Sequence, residues 1–349
     1  MKHWNSLLID HRWVSTIQGR PIGFDDSGLD LSFSSLVEGL ATEGIENCNE
    51  VLLPYSIRRF HWSIIISLIK KQLYRFQNEQ ETTIDIKVLQ TQIDAQLEAW
   101  FAHTLKIIET LPRSYRLRLN LKTRIDHHTA RCLLYQPSQV CIRPAVEDIR
   151  ICFQSAVQRL RLFGALYDKG YLPMAWPTMH GLFMAGATML YSIWYSSDIR
   201  SSIAMATLAK DLRLCSSLLT AAGEWWPLVR RLKSSFERLA DHTLRSITGQ
   251  DHTDNLRQDP AESSSINPDA LGTTEPQPAE IEQMLQSVLQ YNMQVPDVID
   301  VFEKTLFTDS SMTWNPSDFL VESEYDPSMD YLFAPTLLDG PAETHGSTQ

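Results

Sequence analysis

The sequence predicts an all-α protein, an irregular multi-helix domain followed by a largely disordered acidic tail. Three observations carry this. Apolar residues recur at spacings of three and four through most of the first 247 positions, which places them on one face of a 3.6-residue helix, and alternating strand-like runs are few. Pro and Gly fall between these stripes, where they end helices. The composition then changes abruptly at Thr248: 29 Lys and Arg stand against 23 Asp and Glu up to Ile247, but 2 against 19 beyond it. The net charge of −11 therefore joins a mildly basic body to a strongly acidic tail. The predicted organisation is 1–247 helical domain, 248–280 disordered linker, 281–349 acidic-aromatic tail.

Trp4, Leu7, Leu8, Trp13 and Ile17 form the first stripe. No Ser, Thr, Asp or Asn cap precedes it, so the helix reads as N-terminally incomplete. Gly19-Arg20-Pro21 ends it, and an acidic turn follows with Asp25, Asp26 and Asp30. After a polar loop around Glu43 to Glu50, Ile57, Phe60, Ile64, Leu68 and Ile69 define the next helix. Leu89, Ile93, Leu97, Trp100, Phe101, Leu105 and Ile108 define another, closed by Pro112. Leu121, Ile125, His128, Cys132 and Tyr135 continue the series up to Pro137. Val146, Ile149, Phe153, Ala156, Leu160 and Phe163 come next, before a break between Gly164 and Pro177.

The segment from Gly170 to Ser197 holds no Lys, Arg, Asp or Glu. Its prolines, glycines, hydroxyls and the lack of a flanking basic cluster favour a helix buried on all sides over a membrane span. Ile203, Leu208, Leu212, Cys215 and Leu219, then Trp225, Trp226, Val229, Leu232, Phe236 and Leu239, mark the last two stripes. Pro227 sits in a first turn, where its missing N–H costs little. Such stripes are buried only against one another.

The composition and motifs point away from several function classes. Five cysteines, at 48, 132, 141, 152 and 215, contain no C-x-x-C pair; they read as reduced, core-filling thiols. No signal-peptide pattern opens the chain. Asp25, Asp26 and Asp30 fail as a magnesium-binding aspartate set, because position 29 is Leu and the carboxylates lie on a turn rather than one helical face. His127-His128 suggests an acyl-transfer pair, but position 132, where that signature carries Asp, is Cys. Helical geometry predicts one of these histidines in the core and the other outside. H-E-x-x-H, G-x-S-x-G, G-x-G-x-x-G and phosphate-loop sequences are absent. The basic pairs Arg58-Arg59, Lys70-Lys71 and Arg230-Arg231 are scattered and read as solvated faces rather than a nucleic-acid stripe. No catalytic, cofactor-binding or metal-binding residue is assigned, and no enzyme is expected.

Several of these features occur together in one family. Trp4 with Asp10, Ser15, Gly19-Arg20-Pro21 and the acidic stretch to Asp30 resemble the middle homology region of fungal zinc-cluster transcription factors. His127, His128, Leu133, Leu134, Pro137 and Ser138 are similar to that family's helix with a histidine, a Leu-Leu pair and a following Pro-Ser. Cys152 with Ala156, then Phe183, Ala185, Gly186, Leu190, Tyr191 and Trp194, then Trp225, Trp226, Pro227, Phe236 and Leu239 follow in the family's order. The resemblance covers roughly residues 1–245. It implies a helical regulatory domain that restrains or positions the tail in a nuclear transcription factor, often one controlling a metabolic or secondary-metabolite gene cluster. The family's N-terminal six-cysteine zinc cluster has no counterpart in this sequence, so no cofactor is expected in it. Either a truncated gene model, or action through a DNA-bound transcription factor, as homo- or heterodimer, or as a competitor, accounts for that.

Gln250 to Pro278 is nearly free of large apolar residues, the composition of a disordered linker. Two apolar patches follow: Ile281, Met284, Leu285, Val288 and Leu289, then Val298, Ile299, Phe302, Leu306 and Phe307. Beyond them Trp314, Phe319, Leu320, Tyr325, Tyr331, Leu332 and Phe333 lie among acidic residues. Charge repulsion keeps such aromatics available to a coactivator groove, the composition of an activation segment. The alternatives are an α-helical enzyme with an unrecognised site and a helical interaction scaffold.

Overall fold

The computed structural model describes residues 49–74, 85–248, 277–291 and 301. All of them belong to one compact unit within residues 1–308. The described residues form helices and connecting turns without strands: α1 (Asn49–Leu73), α2 (Ile86–Thr110), α3 (Arg113–Tyr135), α4 (Val146–Asp168), α5 (Trp176–Tyr195), α6 (Ser197–Ser202), α7 (Met205–Gly223), α8 (Pro227–Thr248) and α9 (Pro278–Tyr291). The fold is all-α, as the periodicity predicts. The first stripe, the acidic turn at Asp25, Asp26 and Asp30, and the aromatics from Phe302 onward lie outside the described residues.

From α1 to α5 each helix packs on the next, and α1 also touches α3. Local signals set their ends. Asp85 caps α2 by accepting from the Lys87 N–H at 2.9 Å, satisfying a first-turn donor. α4 ends in a left-handed turn at Gly170 (φ 68°), with the Tyr171 N–H on Leu166 O at 2.8 Å and the Gly170 N–H on Tyr167 O at 2.9 Å. That pairing closes the orphan carbonyls of the last turn, and only glycine adopts the required φ freely. Pro227 opens α8 at its first position.

The helix α5 is the hub, packed against α4, α6, α7, α8 and α9. Its charge-free sequence is thereby explained: Met179, Leu182, Phe183, Met189, Leu190 and Tyr191 are all fully buried. Two hydroxyls in this apolar helix are satisfied within it, Thr188 donating to Met184 O and Ser192 to Thr188 O, each at 2.7 Å. Gly186 is required by close approach, since a Cβ there would lie 2.6 Å from Phe236 Cε2 and 2.9 Å from Cys215 Sγ. No described helix is long and apolar enough to cross a membrane.

Three details differ from the sequence-based expectation. Along α1 the buried apolar residues are Tyr55, Phe60, Trp62, Ile65, Ile66, Ile69 and Leu73, while Ile64 is exposed. Polar and apolar residues are mixed around this helix, with Ser63, Ser67 and Lys70 also buried, so periodicity does not choose the inner face. The Trp62 indole, donating to Asp126 O at 3.1 Å, helps to fix it. Trp225 is 70% exposed, because it precedes α8 in the turn rather than continuing its stripe.

The third difference concerns the tail. Its first patch, assigned to residues 281–349, is the inner face of α9. Ile281, Leu285, Val288 and Leu289 are completely buried and Met284 nearly so, all in the core built around α5. Gln136 Nε2 donates to Leu289 O at 2.9 Å, and Gln286 Nε2 to Ile142 O at 3.0 Å. The boundary at 281 therefore cuts through a helix of the body. A nine-residue patch with this spacing is equally a partner-binding helix and a core helix until its groove is seen. The four described cysteines, 132, 141, 152 and 215, are free thiols, and all but Cys141 are buried. Cys132 and Cys152 sit where α3 crosses α4, each sulfur 3.8 Å from the other's carbonyl oxygen.

Candidate functional site

The adjacent histidines lie on α3, which packs between α2 and α4. A helix covered on two sides has no single outer face, and that decides where His127 and His128 go. His127 is 4% exposed. Its Nε2 lies 2.9 Å from Glu98 Oε1, and its ring stacks on Phe101 with centroids 4.2 Å apart at 21°. His128 turns toward the other neighbour and meets His127 edge-on at 5.1 Å and 70°. It is half-buried rather than solvated, which corrects the expectation that one of the two faces out.

Ion pairs line the same seam. Arg59 of α1 donates to the Asp126 carboxylate, whose side chain is 9% exposed. Arg131 Nε lies 3.4 Å from Asp94 Oδ1. Lys87 donates to Asp148, which also accepts the Ala145 N–H at 3.2 Å and so closes the start of α4. Arg124 places its Cζ 5.8 Å from the Phe101 ring centroid and donates from Nε to Asn120 Oδ1 at 2.8 Å.

Burial sets the titration of this seam. It pushes the His127 imidazole down, against the opposing pull of Glu98. His128 falls to about 3, through burial first and then the positive charges of His127, Arg131, Arg159 and Arg124. Both are therefore neutral at pH 7. Burial likewise raises Tyr55 to about 12 and lowers Lys70 to about 8.

A histidine oriented by a carboxylate is half of a nucleophilic triad. The other half is missing here, because among the described residues His127 bonds only Glu98, and its Nδ1 has no partner. The described residues also contain no group of three or more His, Cys, Asp or Glu that could hold a metal ion.

The basic pairs do not make a stripe. Arg58 contacts His61 and, from Nη1, His103 Nδ1 at 3.1 Å, beside a shallow groove of about 340 Å³ with Ile64, Gln96 and Trp100. Arg59 is committed to Asp126, and Lys70 is buried at 8% exposure. Arg230 Nε donates to Gly223 O at 2.8 Å. Arg59 and Lys70 are thus structural rather than solvated, because α2 and α3 press on the side of α1 that carries them. Sequence reasoning also misses Arg159, which sits at 4% exposure between α4 and α5. Its position between Ala156 and Leu160 in an apolar stripe is the available signal.

Comparisons with known proteins add one relation. No protein-family model matches the chain, and no solved structure matches it. The chain is 22% identical over 291 residues to "Positive regulator of purine utilization" of Emericella nidulans, covering 68% of this chain and 27% of that protein. It thus spans about a quarter of that relative's length. The relative is named as a regulator and not as an enzyme, and this distant similarity supports a regulatory role for the chain.

Proposed function

We propose that the chain is part of a nuclear transcriptional regulator of the fungal zinc-cluster type, with the helical body as its regulatory domain and the acidic C-terminal segment as its activation region. The observation that carries this is the ordered resemblance over roughly residues 1–245, supported by the distant similarity to a fungal positive regulator. A zinc cluster outside these 349 residues, or a DNA-bound partner, would supply DNA contact. A coactivator would take the aromatics of the acidic segment. Control of a metabolic or secondary-metabolite gene cluster follows as part of the same proposal.

Within the acidic segment, α9 has its apolar face committed to the body, so activation should reside beyond it. Fused to a heterologous DNA-binding domain, residues 292–349 should activate a reporter at least as well as residues 248–349. Expressed fusions that both stay silent overturn the activation claim. Replacing Trp314, Phe319 and Phe333 with Ala should reduce the signal more than an equal number of acid-to-amide changes. The reverse ranking rejects aromatic docking as the mechanism.

A further inference from the structure

Charge is distributed unevenly along α3. From Thr110 to Ile125 the chain carries Arg113, Arg116, Arg118, Lys122 and Arg124 and no acid. The helix begins on the first of these, with no acid in its first turn and no side-chain cap at Pro112, so its cations oppose the helix dipole. Other cations of the body are answered by carboxylates, Arg131 by Asp94, Arg150 by Glu147, Arg161 by Asp211 and Lys233 by Glu237.

The cations share a face. Arg113, Arg116, Leu117, Asn120 and Arg124 fall within about 100° of one another around α3, over about 16 Å of its axis. Arg113, Arg116, Leu117 and Arg124 are exposed, Leu117 at 48%. Two of the guanidiniums are held by neutral groups. Arg116 Nε donates to Leu111 O at 2.6 Å, and Arg124 Nε donates to Asn120 Oδ1 at 2.8 Å with its Cζ 5.8 Å from the Phe101 centroid. Among the described residues Arg113, Arg116 and Arg124 make no ion pair. The acids around them are committed elsewhere, Asp126 to Arg59, Glu98 to His127 and Asp94 to Arg131, and Glu109, before the Pro112 turn, pairs with none of the three. The stripe is therefore oriented but uncompensated, with an exposed leucine at its centre.

We propose that this stripe docks an acidic amphipathic helix of a partner protein, about three turns long, whose carboxylates meet Arg113, Arg116 and Arg124 and whose apolar residue packs on Leu117. Guanidiniums already held in place lose less freedom on pairing with carboxylates, and opposite charge steers the encounter. A nucleic-acid backbone would answer the arginines but offers Leu117 no apolar neighbour, which favours the protein helix. The surface goes beyond the proposed regulatory function and stands or falls apart from it.

Fluorescence anisotropy with the full chain tests this. The probe is a labelled Ala-based helical peptide with Glu at i, i+4, i+7 and i+11 around a central Leu, and the same peptide with Gln for Glu is the control. The Glu peptide should bind saturably and more weakly as salt rises. Arg116→Gln with Arg124→Gln should raise Kd about tenfold, and Leu117→Ser about fivefold. Arg213→Gln, at an exposed position of α7, should leave Kd unchanged, and all these surface variants should keep the parent Tm. Equal binding by the double variant overturns the site, as does equal binding of the Gln peptide or no binding of the Glu peptide. A duplex DNA of random sequence bound in place of the peptide, and lost in the double variant, overturns the assignment to a protein helix.

Discussion

Around Gly186 the helices meet through carbon and sulfur, whereas around Asp126 and His127 they meet through charged and polar side chains. In the first region α5, α7 and α8 approach until Phe236 and Cys215 fill the space that any side chain at position 186 would need. In the second, α1, α2 and α3 are joined by Arg59–Asp126, His127–Glu98 and Arg131–Asp94 over a smaller apolar cluster of Trp62, Ile66, Ile69, Ile93 and Leu97. The titratable group in contact with the Gly186 site is the Cys215 thiol, held protonated by burial. The polar seam contains imidazoles whose neutral form the fold requires. The seam around His127 and His128 is therefore a pH-sensitive flank of the body.

Four substitutions or conditions probe that contrast. Phe236→Ala, at a fully buried position touching the Gly186 site, should cost about 3–5 kcal/mol in denaturant unfolding. Gly186→Ala should cost about 1–3 kcal/mol by overpacking, and no change in the unfolding midpoint would show that α8 can shift away. The third probe is acid. His128 is held below its unfolded value near 6.5, so its contribution is complete above that pH and is lost as pH falls toward about 3, where the unfolded chain binds the proton first. Stability should drop by about 2 kcal/mol between pH 7 and pH 5, with His127 adding in the same direction. His128→Gln should flatten that limb, and an unchanged slope would reject the assignment. Lys87→Met should have the smallest effect, below about 1 kcal/mol by the same unfolding measurement. Its side chain is 58% exposed and its partner Asp148 keeps the Ala145 N–H.

Much of the body is legible in the sequence alone, and the reason is local. Ile93, Leu97, Trp100 and Ile108 repeat at helical spacing and are all buried, because α2 has one polar side and one apolar side. Proline at 227 and glycine at 170 mark turns whose backbone requirements are intrinsic to those residues. The inner face of α1 is not legible, since polar and apolar residues are mixed around the helix and mark no single face. Arg159 is unreadable for a related reason: spacing places it beside a core stripe, but whether an acid faces it depends on residues from other helices.

α9 shows where that boundary lies. Ile281, Met284, Leu285, Val288 and Leu289 specify an amphipathic helix by themselves, and nothing in their spacing states what covers them. The chain's own sequence determined helix, breaker and charge, which depend on residues within a few positions of one another. Only the tertiary structure decided that α5 is the hub, that α9 belongs to the body, and that His127 and His128 are both drawn inward. Those outcomes depend on which faces meet across tens of residues, and the winning arrangement is the one that removes the most apolar surface from water while leaving the fewest buried polar groups unpaired.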